Sequence, residues 1–480
     1  MLKKSTKIIT TVSDLRCEVD FIRALFDAGM NVVRMNSAHL GAEGMKKIVE
    51  NCREVSPRIG IMIDTKGPEI RTTVNANANE KILFREGMEV EFTGDTTGVT
   101  TAERICLNNA RIAEDVHPVM HFLIDDGELD FLIFDINRST GVLRARCMND
   151  GALGSRKSVN VPGSDIRLPA LTDRDKATLA TAASLGVDFV AHSFVRSADD
   201  VHAVQAELDR LGSDMKIISK IENQQGVDNF DEILQASYGI MIARGDLGIE
   251  VAAERIPVIQ HEMIEKCIAA HHPVIVATQM LHTMITNPRP TRAEVSDIAN
   301  AVYQRTDCIM LSGETANGRY PVEAVSTMAR VAQEVEASLS ANITSANIPQ
   351  LADEHVTSFL ARQAVVSETE IGTKAIIADA MHGRTARFIA SFRGSCPVYA
   401  ICYRRRTMRW LSISYGIKAY YYKDYTQQER YPIEALRDFI AQGLLYSDDR
   451  IAYLGAISGT GATYLEVNSV QAILEHGEQS

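Results

Sequence analysis

Lys216-Ile217-Ile218-Ser219-Lys220-Ile221-Glu222-Asn223 is an apolar, β-branched run that closes on an amine and a carboxylate. Read as a strand over Lys216–Glu222, it puts Lys220 and Glu222 on one face, because side chains two apart along a strand point the same way. Further along, Gly239–Ala243 is a second such run, followed directly by Arg244-Gly245-Asp246. The two blocks together supply one cation and two carboxylates to one place, which suits a divalent metal beside a phosphorylated anionic substrate. Either acid could be an ordinary surface carboxylate. A Glu ending an apolar strand and an Asp in a Gly-flanked turn are nevertheless well placed for a hard metal, and a lysine inside an apolar strand is costly unless paired or functional.

The same pattern recurs outward from this stretch. Short Val- and Ile-rich runs at Lys7–Thr11, Asn31–Asn36, Gly60–Asp64, Phe189–Phe194, Pro273–Thr278 and Asp307–Leu311 join the two above to make eight expected strands. Helix-like stretches lie between most of them: Asp14–Ala28, Asp173–Leu185, Asp199–Leu211, Glu254–Ala270 and Ala293–Val302. Alternating βα units in this number predict a (β/α)₈ TIM barrel, and Thr172 with Asp175 reads as a capping box at the start of one helix. Such barrels build their sites at the C-terminal ends of the strands. Every strand after the first has a polar end there: Arg34 and Asn36, Asp64-Thr65-Lys66, Ser193, Lys220 with Glu222, Asp246, Thr278-Gln279, and Ser312-Gly313-Glu314. Thr278, judged by its residue type alone, reads as structural.

Arg71 to Arg167 breaks the alternation. It shows no convincing helix and several short alternating runs (Lys81–Phe84, Glu89–Phe92, Phe122–Ile124, Leu129–Phe134, Gly141–Arg146), so we expect an inserted all-β domain, placed where it would act as a lid. After the helix Val322–Ser338, the polar stretch Ser340–Pro349 reads as a linker. Strand-like runs at Ala375–Ala380, Val398–Cys402, Lys418–Tyr422 and Arg450–Gly455 then predict a separate C-terminal α/β domain. The expected division is a catalytic barrel over 1–70 and 168–338, a lid over 71–167 and a C-terminal domain over 339–480. No tandem repeat or low-complexity tract points to a solenoid.

Composition excludes other classes. A chain of 480 residues, 45% hydrophobic and 23% charged, is globular and too long for one ordinary core. A formal charge of −12 argues against nucleic acid or an anionic membrane surface as the main partner, so an anionic substrate must be drawn in by local Arg and Lys. Eight cysteines without a C-x-x-C pair fit reduced thiols, and no stretch has signal-peptide or membrane-spanning character; the expectation is a soluble cytoplasmic enzyme.

Several long stretches, in one order, carry a resemblance. These are DTKGPEIR at Asp64–Arg71, IISKIEN at Ile217–Asn223, MIARGDLGIE at Met241–Glu250, ATQM at Ala277–Met280, NPRPTRAEVSDIAN at Asn287–Asn300 and IMLSGET at Ile309–Thr315. Over nearly its whole length the chain resembles the pyruvate kinases. The resemblance implies transfer of a phosphoryl group from phosphoenolpyruvate to ADP, with the enolpyruvate left behind then protonated to pyruvate. It implies Mg²⁺ (or Mn²⁺) held by Glu222 and Asp246, and Lys220 stabilising the moving group. Arg34 would clamp the substrate phosphate, Gly245 and Asp246 would receive its carboxylate, Ser193 would line the substrate, and Thr278 would sit by the enolate carbon and the water relaying its proton. Arg71, His39 and Lys157 would face the nucleotide phosphates, and K⁺ would be held by Asn36, Asp64 and Thr65. A homotetramer and a phosphorylated effector at the C-terminal domain are further implications.

The chain also departs from the family pattern. Arg34–Leu40 reads RMNSAHL where the family usually has RMNFSHG, so Ala38 replaces a K⁺-ligating serine, leaving Ser37 or a water to substitute or the K⁺ dependence weakened. Thr6–Asp14, TKIITTVSD, lacks the usual Gly-Pro ending. In the expected effector loop, Asp379–Arg387, only Gly383-Arg384-Thr385 survives, which makes fructose 1,6-bisphosphate a poor fit. Arg404-Arg405-Arg406 reads as a solvated or interface run, and Gly455–Thr463, GAISGTGAT, resembles the family's last loop. Two rivals stand beside this reading: a Mg²⁺-dependent lyase or aldolase of the related phosphoenolpyruvate/pyruvate barrels, and a binding protein with a dead site.

Overall fold

Eight parallel strands, buried except for Asn36 and Lys216 at two of their ends, close into a barrel: Lys7–Thr11, Val32–Asn36, Gly60–Asp64, Phe189–His192, Lys216–Ile221, Gly239–Ala243, Val274–Ala277 and Cys308–Leu311. Each pairs with the next and the eighth closes on the first. This computed structural model describes residues 4–341, 344–351, 355–423, 433–456 and 463–478. The strands are apolar on both faces because both are covered. Ile9, Val32, Met62, Phe189, Ile218, Met241 and Ile275 fill the interior, while Ile8, Val33, Ile61, Val190 and Ile217 meet the outer helices. The fourth, fifth and seventh strands end one or two residues earlier than the sequence predicts. Beyond the fourth and seventh the chain has already turned out of the sheet: Phe194 and Thr278 have φ of 57° and 69°.

Among the described helices, the first begins at Val19 rather than Asp14, because Ser13–Glu18 is turn and loop. Helices Asp173–Ser184, Ala198–Arg210, Ile256–Ala269, Arg292–Tyr303 and Pro321–Ser340 lie where expected, and Thr172 and Asp175 form a complete capping box. The chain leaves the third strand for the lid. There a six-stranded sheet runs in the order Val159–Asn160, His121–Ile124, Leu129–Asn137, Val142–Cys147, Glu89–Thr93, Arg104–Cys106, beside a pair Gly151–Leu153 and Ile82–Phe84. A four-residue helix at Ile112–Asp115 was not anticipated. The lid has its own core, in which Phe84, Phe92, Phe122 and Phe131 pack edge to face at 5.0–5.3 Å.

The C-terminal sheet runs Ile417–Tyr421, Val398–Cys402, Ala375–Asp379, Arg450–Ala456, all parallel, then Thr463–Ser469, an antiparallel edge the sequence reading missed. Of Gly455–Thr463, residues 457–462 lie outside the described residues, as do 342 and 343 of the linker stretch. Trp410 and Ile413 from this domain join the interior of the barrel, and Arg393–Asp307 (2.7 Å) and Arg409–Asp188 (2.6 Å) fasten the two domains by buried pairs. The eight cysteines are free, and no described helix is long and apolar enough to cross a membrane.

Candidate active site

The strand register brings the polar ends together. Asn36 pairs with Asp64 across the second and third strands, Asp64 with Ala191 across the third and fourth, and Lys220 with Met241 across the fifth and sixth. Asp64 is the hub, 2% exposed: it accepts from Arg34 Nε at 2.6 Å, Lys220 Nζ at 3.2 Å and Ser193 Oγ at 3.1 Å. The Lys220 ammonium also donates to Ser193 Oγ at 2.8 Å and lies 2.8 Å from Glu222 Oε1, so the two side chains meet although Glu222 stands one residue past the strand. The first strand contributes as well, contrary to expectation, because Thr11 Oγ1 accepts from Arg34 at 2.8 Å.

Burial sets the electrostatics. It pulls Lys220 down, but Asp64 and Glu222 outweigh it and hold the amine charged, above the ordinary ammonium range. Burial likewise raises Asp64, and Arg34 and Lys220 overturn that and keep it low. Glu222, 1% exposed, goes the other way: burial pushes it up to about 7, with Lys220 opposing and Asp246 adding to the rise. Asp246 is raised by burial too, against Lys220, and shares a hydrogen bond with Glu222. A buried carboxylate and a half-buried one therefore face each other with too little positive charge around them.

That deficit is the observation against which a metal can be tested. Among the described residues no group of three or more His, Cys, Asp and Glu side chains gathers in ligating geometry. A pair of hard carboxylate oxygens suits Mg²⁺ or Mn²⁺, which is commonly held by one or two carboxylates with waters and substrate oxygens completing its shell. Glu222 and Asp246 fit.

Thr278 and Gln279 follow the seventh strand with φ of 69° and 59°, unusual for non-glycine residues and strained for a β-branched one. The Thr278 hydroxyl is fixed by the Gly245 N–H at 2.7 Å and by donation to Ala277 O at 2.7 Å. Arg244, which the sequence reading passed over although it lies inside ARGD, donates to Thr278 O at 2.8 Å and is itself paired with Asp297 at 2.7 Å. Nothing in the sequence marks this pair, because the two residues are far apart in the chain.

The residues expected to face the nucleotide are less converged. Arg71 lines a cleft of about 300 Å³ between lid and barrel, together with Asp246, Glu250 and the lid's Asp126, and is held by Glu69 at 2.8 Å. Lys157 pairs with Asp125 at 2.8 Å, and His39 is exposed on the loop after the second strand. For the monovalent-cation set, Asn36 Oδ1 accepts from Ala38 N–H at 3.0 Å, and Thr65 Oγ1 accepts from Ser193 N–H at 3.1 Å. Beside them the Ser37 hydroxyl is buried with no protein partner.

Residues 3–325 match the family model described as pyruvate kinase, barrel domain, and residues 358–465 match pyruvate kinase, alpha/beta domain. The chain is 41% identical to the pyruvate kinase of Borreliella burgdorferi over 478 residues, 98% of each chain. It is 38% identical to that of Bacillus licheniformis over 469 residues, 96% of this chain and 80% of the other. The crystal structure of a pyruvate kinase from Cryptosporidium parvum is similar with a TM-score of 0.91 at 34% identity, covering 97% of this chain and 96% of that one.

Proposed function

The chain belongs to the pyruvate kinase family, and from that premise we propose how its own residues carry out the transfer. It is a phosphotransferase that moves the phosphoryl group of phosphoenolpyruvate to ADP, giving pyruvate and ATP. The lyase or aldolase alternative is not favoured by matches that span the barrel and the C-terminal domain.

Phosphoryl transfer needs positioning and charge neutralisation more than covalent chemistry from the protein. Arg34 and Lys220 bracket the substrate phosphate, and Ser193 braces both Asp64 and Lys220 beneath it. An incoming phosphate replaces carboxylate contacts that now satisfy the two cations, so little reorganisation is required. Lys220 stays charged throughout and stabilises the phosphoryl group in flight. Glu222 and Asp246 would hold Mg²⁺ or Mn²⁺, which when bound would supply neutralising charge to substrate oxygens. Gly245 and Asp246 receive the substrate carboxylate. Thr278, its hydroxyl locked by Gly245 and its backbone by Arg244, orients the water that protonates the enolpyruvate carbon. Arg71, Lys157 and His39 face the nucleotide as the lid closes and excludes water.

Asn36, Asp64 and Thr65 would hold a monovalent cation, K⁺, and the unpartnered Ser37 oxygen would supply the contact that Ala38 lacks. Assembly into a homotetramer is supported by exposed apolar side chains on helices of both large domains: Val258 (57%), Tyr303 (51%), Val356 (68%) and Phe359 (63%). A phosphorylated effector would meet Arg384 at the start of helix Arg384–Ser391. Nucleic acid and membrane are not partners in this reading, and the compartment is the cytoplasm.

The observation that carries the proposal is the buried convergence of Lys220 with Asp64, Ser193 and Glu222, with Asp246 bonded to Glu222. A coupled assay for pyruvate formation with Mg²⁺ and K⁺ tests it: turnover is expected only when phosphoenolpyruvate and ADP are both present, and its absence refutes the proposal.

A further inference from the structure

The lid leaves the barrel through Lys66–Gly67 and returns through Leu168–Thr172. One side chain outside the site described above touches both connections. Asp175 lies in the first turn of helix Asp173–Ser184 and is fully buried. Its Oδ2 accepts from the Thr172 N–H at 3.1 Å and the Thr172 hydroxyl at 2.6 Å. A capping box needs only the first of these together with the Asp175 N–H on Thr172 Oγ1, here at 3.1 Å. Its Oδ1 reaches across to the outgoing connection, accepting from the Lys66 N–H at 3.1 Å and the Gly67 N–H at 3.4 Å.

We propose that Asp175 is a positioning residue that pins both ends of the lid, so that closure delivers Arg71 and Lys157 to the nucleotide in a fixed register. The proposal rests on the reading of those two residues as nucleotide-facing. The surroundings of the hinge show why a fixed register matters. Gly67 has a φ of 72°, and a Cβ there would lie 2.9 Å from Ser193 Cβ and from Phe194 Cδ2. Its peptide is therefore wedged between Asp175 and the Ser193–Phe194 turn. That turn is itself part of the site floor: Ser193 Oγ accepts from Lys220, and the Phe194 N–H donates to Glu222 Oε2 at 2.7 Å. The hinge is thus braced against a turn that the site floor holds in place.

The neighbouring residues act in the same sense. Arg174 donates to Ser37 O and Ala38 O, both at 2.9 Å, and steadies the loop that carries His39. The return connection has a second anchor in Arg196, which donates to Ile166 O at 3.0 Å and Leu168 O at 2.8 Å while Asp200 grips its guanidinium at 2.8 Å. The lid is thus hung from the first turns of two consecutive barrel helices. A helix-capping role alone would explain neither Oδ1 nor the grip on residues more than a hundred positions away in the chain.

Asp175→Asn in the full-length chain tests the proposal. The amide offers one acceptor where the carboxylate has two, so its NH₂ must face either the Thr172 donors or the Lys66–Gly67 donors. The expected result is a KM for ADP raised about tenfold, with phosphoenolpyruvate affinity, titrated without ADP, changed less than about twofold. The amide protons of Lys66 and Gly67 in the ligand-free protein should exchange at least about tenfold faster. A kcat that falls only with the folded fraction, with ADP KM and exchange unaltered, overturns the proposal. Should Asp175→Asn not fold, Thr172→Ala removes the shortest contact to Oδ2, and an ADP KM up about threefold supports the pin whereas no change in either KM or exchange overturns it. Faster exchange with an unchanged ADP KM supports the pin and refutes the nucleotide reading of Arg71 and Lys157.

Discussion

The floor of the site and its rim are held by different means. On the floor, Arg34, Asp64, Ser193, Lys220 and Glu222 come from four strands of the barrel, each with less than a tenth of its surface exposed, and contact one another at 2.6–3.2 Å. On the rim, Arg71 and Lys157 belong to the lid and His39 to a loop; the first two are satisfied by their own neighbours, Glu69 and Asp125. Strand register fixes the backbone of the floor. The geometry of the rim depends on how the lid is hung. On the proposed roles, the chemistry of the first substrate is built into the barrel, while affinity for the second is a property of the connections.

Four experiments probe that contrast. Lys220→Met should give the largest effect, lowering the rate of phosphoryl transfer about a thousandfold, roughly 4 kcal/mol of transition-state stabilisation, without raising KM for ADP. A rate within tenfold of the parent would mean that the floor is not where charge is neutralised. Thr278→Ala should slow proton exchange at the methyl carbon of pyruvate about a hundredfold and phosphoryl transfer much less. Equal losses, measured by exchange and by single turnover, would remove the division of labour within the floor. On the rim, Arg71→Ala should raise KM for ADP about tenfold and leave equilibrium binding of phosphoenolpyruvate unchanged. Weakened phosphoenolpyruvate binding would erase the distinction between the two regions.

The smallest effect concerns stability under the hinge. His192 is fully buried, neither ring nitrogen has a protein partner, and burial lowers it from the usual 6.5 to about 4 against the pull of Asp200 and Asp175; Lys220 and Arg196 lower it further. The unfolded chain then binds a proton that the folded chain refuses. Stability should be unaffected by this group above pH 6.5 and fall as pH drops from 6.5 toward 4, by about 2 kcal/mol at pH 5. His192→Leu should remove that component from denaturant melts at pH 7.5 and pH 5. A loss on acidification as large as the parent's would show that His192 is not responsible.

The contrast between floor and rim also decides what could be read from the sequence. The interiors of the barrel strands were legible because apolar runs bounded by polar ends mark parallel strands, and the Lys220–Glu222 pairing followed from strand periodicity alone. The limits failed where tertiary contacts override residue preference: Phe194 and Thr278 have strand-forming side chains, yet hydrogen bonds to Glu222 and Gly245 draw them into the left-handed region. Arg104–Cys106, Gly151–Leu153 and Val159–Asn160 are too short to show a period, and the four-residue helix at Ile112–Asp115 has no room for one. Asp175 was legible as a cap but not as a hinge pin, and Arg244 was not legible as the support for Thr278. In each case the partner lies far along the chain, and only folding brings it near. The reverse also holds: Thr11 looked like a plain strand residue until Arg34 was seen to donate to it.

The claim beneath this account is that Glu222 and Asp246 together hold one divalent ion beside Lys220. Titration of Mn²⁺ followed by electron paramagnetic resonance, on the parent chain and on Glu222→Gln, Asp246→Asn and Lys220→Met, tests it without reference to turnover. Each carboxylate variant should bind Mn²⁺ at least about thirtyfold more weakly, while Lys220→Met binds it no less tightly than the parent. Parent-like Mn²⁺ affinity in either carboxylate variant would contradict the claim.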